Sequence, residues 1–156
     1  MITMRGLSRQ LAEALNTDAT FKALSTSLIG GEFNYFVNVD LSTVEVPLPY
    51  FGIVTFNDKD DREVVKSFQT QFLIGITRTD PTTVGNITEE ASLDKVEELS
   101  RAALVVIETE RRNFGIQGDK NIKITYINMY VPSPDGEDDL QMQIDIEWEQ
   151  DKFLNR

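Results

Sequence analysis

Residues 140–149 alternate without exception: Leu140, Met142, Ile144, Ile146 and Trp148 are apolar, and Gln141, Gln143, Asp145, Glu147 and Glu149 between them are polar. A period of two sustained over that length belongs to a β-strand with one face in a core and the other in water. The chain is thereby committed to a sheet, and the rest of the sequence must supply its neighbouring strands and the cover for its apolar face.

Helical periodicity supplies the cover. Leu7, Leu11, Ala14 and Leu15 recur at helical spacing and predict a short amphipathic helix over 6–16, with Arg9, Gln10 and Glu13 off the stripe. Asn16 and Thr17 end that pattern, Asp18 caps a further turn carrying Phe21 and Leu24, and Gly30-Gly31 breaks the chain. A longer helix is predicted from about Ser92 to Asn113, with Leu93, Val96, Leu99, Ala103, Val106 and Ile107 on one face and Leu104 and Val105 widening it. Glu89, Glu90 and Asp94 suit its N-terminal end, Arg111 and Arg112 its C-terminal end, and Gly115 a left-handed cap.

The strands fall on either side of that helix. Phe33, Tyr35, Val37, Val39 and Leu41 alternate with Asn34, Asn38, Asp40 and Ser42, with Phe36 intruding on the polar side. Pro47 and Pro49 place 44–49 at an edge or bulge, so pairing starts at Tyr50. Segments 50–56 and 64–78 then form an antiparallel hairpin about a solvated turn at 57–62, and Thr79 to Asn86 reads as a loop. Ile122, Ile124, Tyr126 and Tyr130 alternate with Lys123, Thr125, Ile127 and Met129, so this strand is apolar on much of both faces and is expected at the centre of the sheet. The closing strand pairs with it across the turn Pro132-Ser-Pro-Asp-Gly136. The expected fold is α+β: one domain over 1–156, two-layer, with a mixed, mainly antiparallel β-sheet and helices covering one face.

Composition narrows the function. The chain has 156 residues, 26 acidic and 15 basic, for a net charge of −11, so its field repels nucleic-acid phosphates and anionic lipid. It contains no cysteine and no histidine, which removes disulfides, thiolate nucleophiles, sulfur-ligated metals and the commonest catalytic base and zinc ligand. No export signal or membrane span is expected, and Asn86-Ile87-Thr88 matches a glycosylation acceptor by chance.

Acidic clusters are the remaining candidates for chemistry. Asp58, Asp60 and Asp61 lie in one turn and Asp135, Glu137, Asp138 and Asp139 in another, but neither has the spacing of a calcium loop, and both read as solvated hairpin tips. Asp145 and Glu147 lie on one side of a strand, with nothing to drive their pKa values apart, and read as a solvated face. No glycine pattern for phosphate occurs. Neither a cofactor nor a metal is expected, and the chain is expected not to be an enzyme. Segment 31–49 carries two readings: Phe33, Tyr35, Phe36, Val44 and Val46 pack on the domain, or they form a projecting arm or hairpin that binds a neighbouring subunit. The bare sheet face, with Leu73, Ile127, Met129 and Val131 among polar residues, suggests a subunit partner.

The order of elements resembles the tail terminator, or tail completion, proteins of long-tailed bacteriophages. The resemblance runs through the helix Leu7 to Leu15, the proline-led strand from Pro49 to Phe56, and the strand from Ser67 to Ile76. The helix from Leu93 to Arg112 and the pair Ile122–Val131 and Leu140–Trp148 complete it; it is one of order and pattern over nearly the whole chain, with no diagnostic motif. It implies a structural virion protein, assembled in the host cytoplasm, that forms a hexameric ring on the head-proximal end of the tail tube. Such a ring ends tube polymerisation and offers a docking surface to the head connector or stopper, and DNA passes through it without specific binding. On this reading Phe33, Tyr35, Phe36, Val44, Val46, Ile127 and Met129 belong to subunit or partner interfaces, and Asp145, Glu147 and Glu149 to an acidic lumen or docking face. The alternatives are another ring component of the phage neck or tail, such as a head-completion protein, and an unrelated small enzyme or ligand-binding domain using carboxylates alone.

Overall fold

In the computed structural model the described residues are 4–39, 47–59, 65–77, 82–89, 92–110, 123–129 and 139–151. Their order is α1 (Met4–Thr17), α2 (Ala19–Ile29), β1 (Asn34–Val37), β2 (Tyr50–Lys59), β3 (Val65–Thr77), β4 (Thr82–Val84), β5 (Ile87–Glu89), α3 (Ser92–Glu110), β6 (Lys123–Met129) and β7 (Asp139–Asp151). The fold is α+β, with one sheet in the order β1-β2-β3-β7-β6 and a separate two-stranded sheet of β4 and β5.

Local chemistry explains the helix ends. Asp18 is extended at the start of α2, and its Oδ2 accepts the Phe21 N–H at 2.8 Å, satisfying a donor that the first turn leaves without an intrahelical partner. That cap starts a full helix of 11 residues where the sequence suggested a single turn. At the other end Gly30 sits at φ 74°, the left-handed region that glycine enters without a Cβ penalty, and its N–H donates to the Thr26 carbonyl at 3.1 Å.

The main sheet is mixed and mainly antiparallel: among the described residues the β1–β2 pair is the one parallel pairing. β3 and β6 are both antiparallel to β7, so they run the same way with β7 between them, and α3 lies in the connection from one to the other. The register fixes the faces. Phe51 pairs with Ile74 and Ile53 with Phe72, while across the next pair Phe72 meets Ile144 and Thr70 meets Ile146. These same-parity residues form the core with Leu7, Leu11 and Leu15 of α1, Phe21 of α2, and Val96, Leu99, Ala103 and Ile107 of α3. Burying each large apolar side chain contributes about 1.5–3 kcal/mol before conformational entropy is charged against it.

Aromatic rings occupy one end of that core. Phe21 stacks on Phe33 with centroids 5.9 Å apart, and Phe51 meets Phe33 and Phe72 edge-on at 5.6 and 6.1 Å. Three hydroxyls sit between α1, β2 and β3: Ser8 and Thr55 share a hydrogen bond, and Thr55 Oγ1 lies 3.0 Å from Thr70 Oγ1. All three residues are buried.

Five sequence expectations change. The strand at 123–129, expected at the centre, is the last strand of the sheet and pairs only with β7 among the described residues. The central positions go to β3 and β7, because an antiparallel sheet can keep one face wet and its inner strands need only one apolar face. The alternation starting at Phe33 gives a strand of only four residues, closed by Asn38 at φ 53°. Asn57–Lys59, expected in a turn, continue β2. The loop read over 79–86 contains β4 and the start of a hairpin, with Gly85 at φ 64° in its turn. Val105 is 66% exposed on α3, whereas Leu104 is buried as expected. Arg111, Arg112, Gly115 and the turn at 132–136 lie outside the described residues.

Candidate functional site

The core takes one parity of strand residues, and the other parity forms an outward row. On β2 and β3 that row pairs Tyr50 with Gly75, Gly52 with Leu73, Val54 with Gln71, and Phe56 with Gln69. Val54, Gln69, Gln71 and Leu73 are half-buried and Phe56 is exposed. The row continues by register through β7, where Gln143 pairs with Leu73, Asp145 with Gln71 and Glu147 with Gln69. It ends on β6, where Met129 pairs with Gln141, Ile127 with Gln143, Thr125 with Asp145 and Lys123 with Glu147.

Tyr50 anchors one corner of this row. Its ring lies across Gly75, so closely that a Cβ there would overlap it, and Tyr50 is only 5% exposed. Glycine at 75 therefore serves a close approach, since the missing side chain is the space the ring fills.

Six of the ten residues singled out from sequence share this outward parity: Phe36, Ile127, Met129, Asp145, Glu147 and Glu149. Phe36 is half-buried and pairs with Gly52, and Glu149 pairs with Ser67. Phe33 and Tyr35 lie elsewhere, and here the projecting-arm reading of 31–49 is corrected as far as Val39. Phe33 is 6% exposed and belongs to the core. Tyr35 packs against Phe33 and Phe51 at 6.4 and 5.7 Å, and β1 lies in the main sheet beside β2. Burial, reinforced by the Glu32 carboxylate, pushes the Tyr35 hydroxyl well above its ordinary pKa, as removal from water does to any group that ionises to an anion. Val44 and Val46 lie outside the described residues.

The protruding element is instead the β4–β5 hairpin. Every residue from Thr82 to Glu89 is exposed, and the pair nearest the turn, Val84 and Ile87, is 80% and 60% exposed. The hairpin is held within itself by the strand pairing and by a Thr83–Thr88 hydroxyl contact of 2.9 Å. Its signal was present in the sequence: β-branched residues on both sides of Gly85-Asn86 are a hairpin pattern, which the neighbouring Asp80-Pro81 obscured.

The surface so assembled offers side-chain amides, a hydroxyl-rich arm and exposed Val, Ile and Phe side chains, which suit it to contact with another protein surface. Among the described residues there is no group of three acidic side chains placed to hold a metal ion, and no helix is long and apolar enough to cross a membrane. Compared with protein-family models and with curated proteins, the sequence matches none.

Proposed function

We propose that this protein is a structural ring subunit of a long-tailed bacteriophage, the terminator that caps the head-proximal end of the tail tube. The observation that carries the reading is the outward row running from Phe36 through Val54 and Leu73 to Ile127, combined with an exposed arm on the same chain. Half-buried Val54 and Leu73 beside exposed Phe56 suit contact with a neighbouring subunit, and the order of elements resembles that of the terminator proteins. Heterologous contacts of one subunit with the next close into a ring when the rotation closes, and six copies of a 17.7 kDa chain make an assembly of roughly 100 kDa.

Charge supports the same reading. A ring that lets DNA pass must not grip it, and a chain of net charge −11 resists phosphate contacts. Asp145, Glu147 and Glu149 occupy three successive alternate positions of β7 and are assigned to the acidic lumen or to the docking face for the connector. The tube subunit and the connector are then its protein partners, and the mature virion its location.

The test is tube growth. Purified protein added to polymerising tail-tube subunits is expected to shorten the tubes in proportion to its concentration, as measured by electron microscopy. Tubes of unchanged length would overturn the terminator assignment, and rings of about six subunits seen in the same preparation would then favour another neck or tail ring component.

A further inference from the structure

We infer that the β4–β5 hairpin is an intersubunit arm that docks on the outward sheet row of a second copy of this chain, against Val54, Phe56, Gln71 and Leu73. The inference rests on the ring reading and names the contact that would build the ring.

A two-stranded hairpin is marginal in water by itself, because it cannot cover its own apolar side chains. Here Val84 and Ile87 form a cross-strand pair that is 80% and 60% exposed, at the end of an arm whose strands pair only with each other among the described residues. Scattered exposed apolar residues are ordinary; a β-branched pair concentrated at the tip of a protrusion is a contact element.

Charge selects the occupant. Residues 82–88 carry no charged side chain, and Glu89 at the base of β5 is the hairpin's one charge, in a protein with 26 acidic and 15 basic residues. An arm meant for nucleic acid or an acidic partner would carry lysine or arginine, and an arm that must approach an identical subunit of net charge −11 is best left neutral. The surface it needs is partly apolar and uncharged where the tip lands, and the chain itself provides one on β2 and β3 at Val54, Phe56, Gln71 and Leu73, beside the Asp145 position of β7. Arm and receiving row are different surfaces of one chain. Their contact is therefore heterologous, the type that propagates around a ring.

The absence of native cysteine allows a direct test. Val84→Cys protein mixed with Gln71→Cys protein is expected to give a disulfide-linked dimer on mild oxidation, and a chain carrying both substitutions a ladder of multimers. Val105→Cys, at a comparably exposed apolar site on α3, replaces Val84→Cys in the control mixture. In parallel, Val84→Asp with Ile87→Asp is expected to weaken self-association by about tenfold or more, measured by sedimentation velocity, while Val105→Asp leaves it unchanged. If the wild-type chain assembles but the Val84–Gln71 pair links no better than the control, the arm contact is overturned and the ring stands. Equal weakening by the Val105→Asp variant also overturns it. A chain that stays monomeric at every concentration and never links overturns the arm contact as well, and the tube-length assay then judges the terminator reading separately.

Discussion

The buried hydroxyls of Ser8, Thr55 and Thr70 give the sharpest test of how this core is specified. Thr55 is the middle member: its hydroxyl meets Ser8 on α1 and Thr70 on β3, and its backbone N–H donates to Asn38 Oδ1 at 3.0 Å. Thr55→Val keeps the shape and leaves the backbone bond in place, but it removes the hydroxyl common to both contacts. A buried hydroxyl deprived of its partner costs about 1–3 kcal/mol. Ser8 recovers part of this by turning its hydroxyl toward the carbonyl one helical turn earlier, and Thr70 has a further interaction to fall back on, so the expected loss is about 2 kcal/mol in total. The combination of Ser8→Ala, Thr55→Val and Thr70→Val removes donors and acceptors together and is expected within about 1 kcal/mol of wild type, less destabilised than Thr55→Val alone.

Urea unfolding followed by circular dichroism, at one fixed protein concentration because assembly adds to apparent stability, reads both numbers. With a slope of about 2 kcal/mol per molar, Thr55→Val should lower the midpoint by about 1 M and the triple variant by under half of that. A neutral Thr55→Val would show that the hydroxyls do not depend on one another. A triple variant costing the sum of the three single changes would show that packing volume, and not hydrogen bonding, sets the loss; either result refutes the reasoning.

Two further perturbations probe the outward face and the sheet edge. Gly75→Ala places a methyl where the Tyr50 ring lies and should cost about 1–3 kcal/mol in urea unfolding, and adding Tyr50→Ala should make the methyl itself nearly free. Tyr35 has a folded-state pKa raised by burial and by Glu32, so above about pH 10 the unfolded chain ionises this hydroxyl while the folded chain keeps it protonated. The unfolded state then binds fewer protons, and stability, full below that pH, falls as the pH rises further; Tyr35→Phe should flatten the fall in thermal melts between pH 9 and 11.

What the sequence made legible follows from where its pattern is local. The alternation of Phe72, Ile74 and Ile76 with Gln71, Leu73 and Gly75, and that of Ile144 and Ile146 with Gln143, states burial on one face directly, and the register confirms it residue by residue. The stripe Leu7, Leu11 and Leu15 and the cap at Asp18 are equally local. Strand order is not local. The two-sided apolar pattern of 123–129 predicts a central strand, whereas among the described residues the strand lies at the edge of the sheet. Of the two readings of Phe33 and Tyr35, packing on the domain holds, because α2, a full helix and not one turn, brings Phe21 onto Phe33. Phe33 finds its cover inside the chain, whereas Ile127, Met129, Val84 and Ile87 lie on a sheet edge and an exposed hairpin. Apolar sequence at a sheet edge or on an exposed hairpin is what a subunit interface requires, and in a protein of net charge −11 the uncharged tip of the β4–β5 hairpin is where two copies can approach at least electrostatic cost.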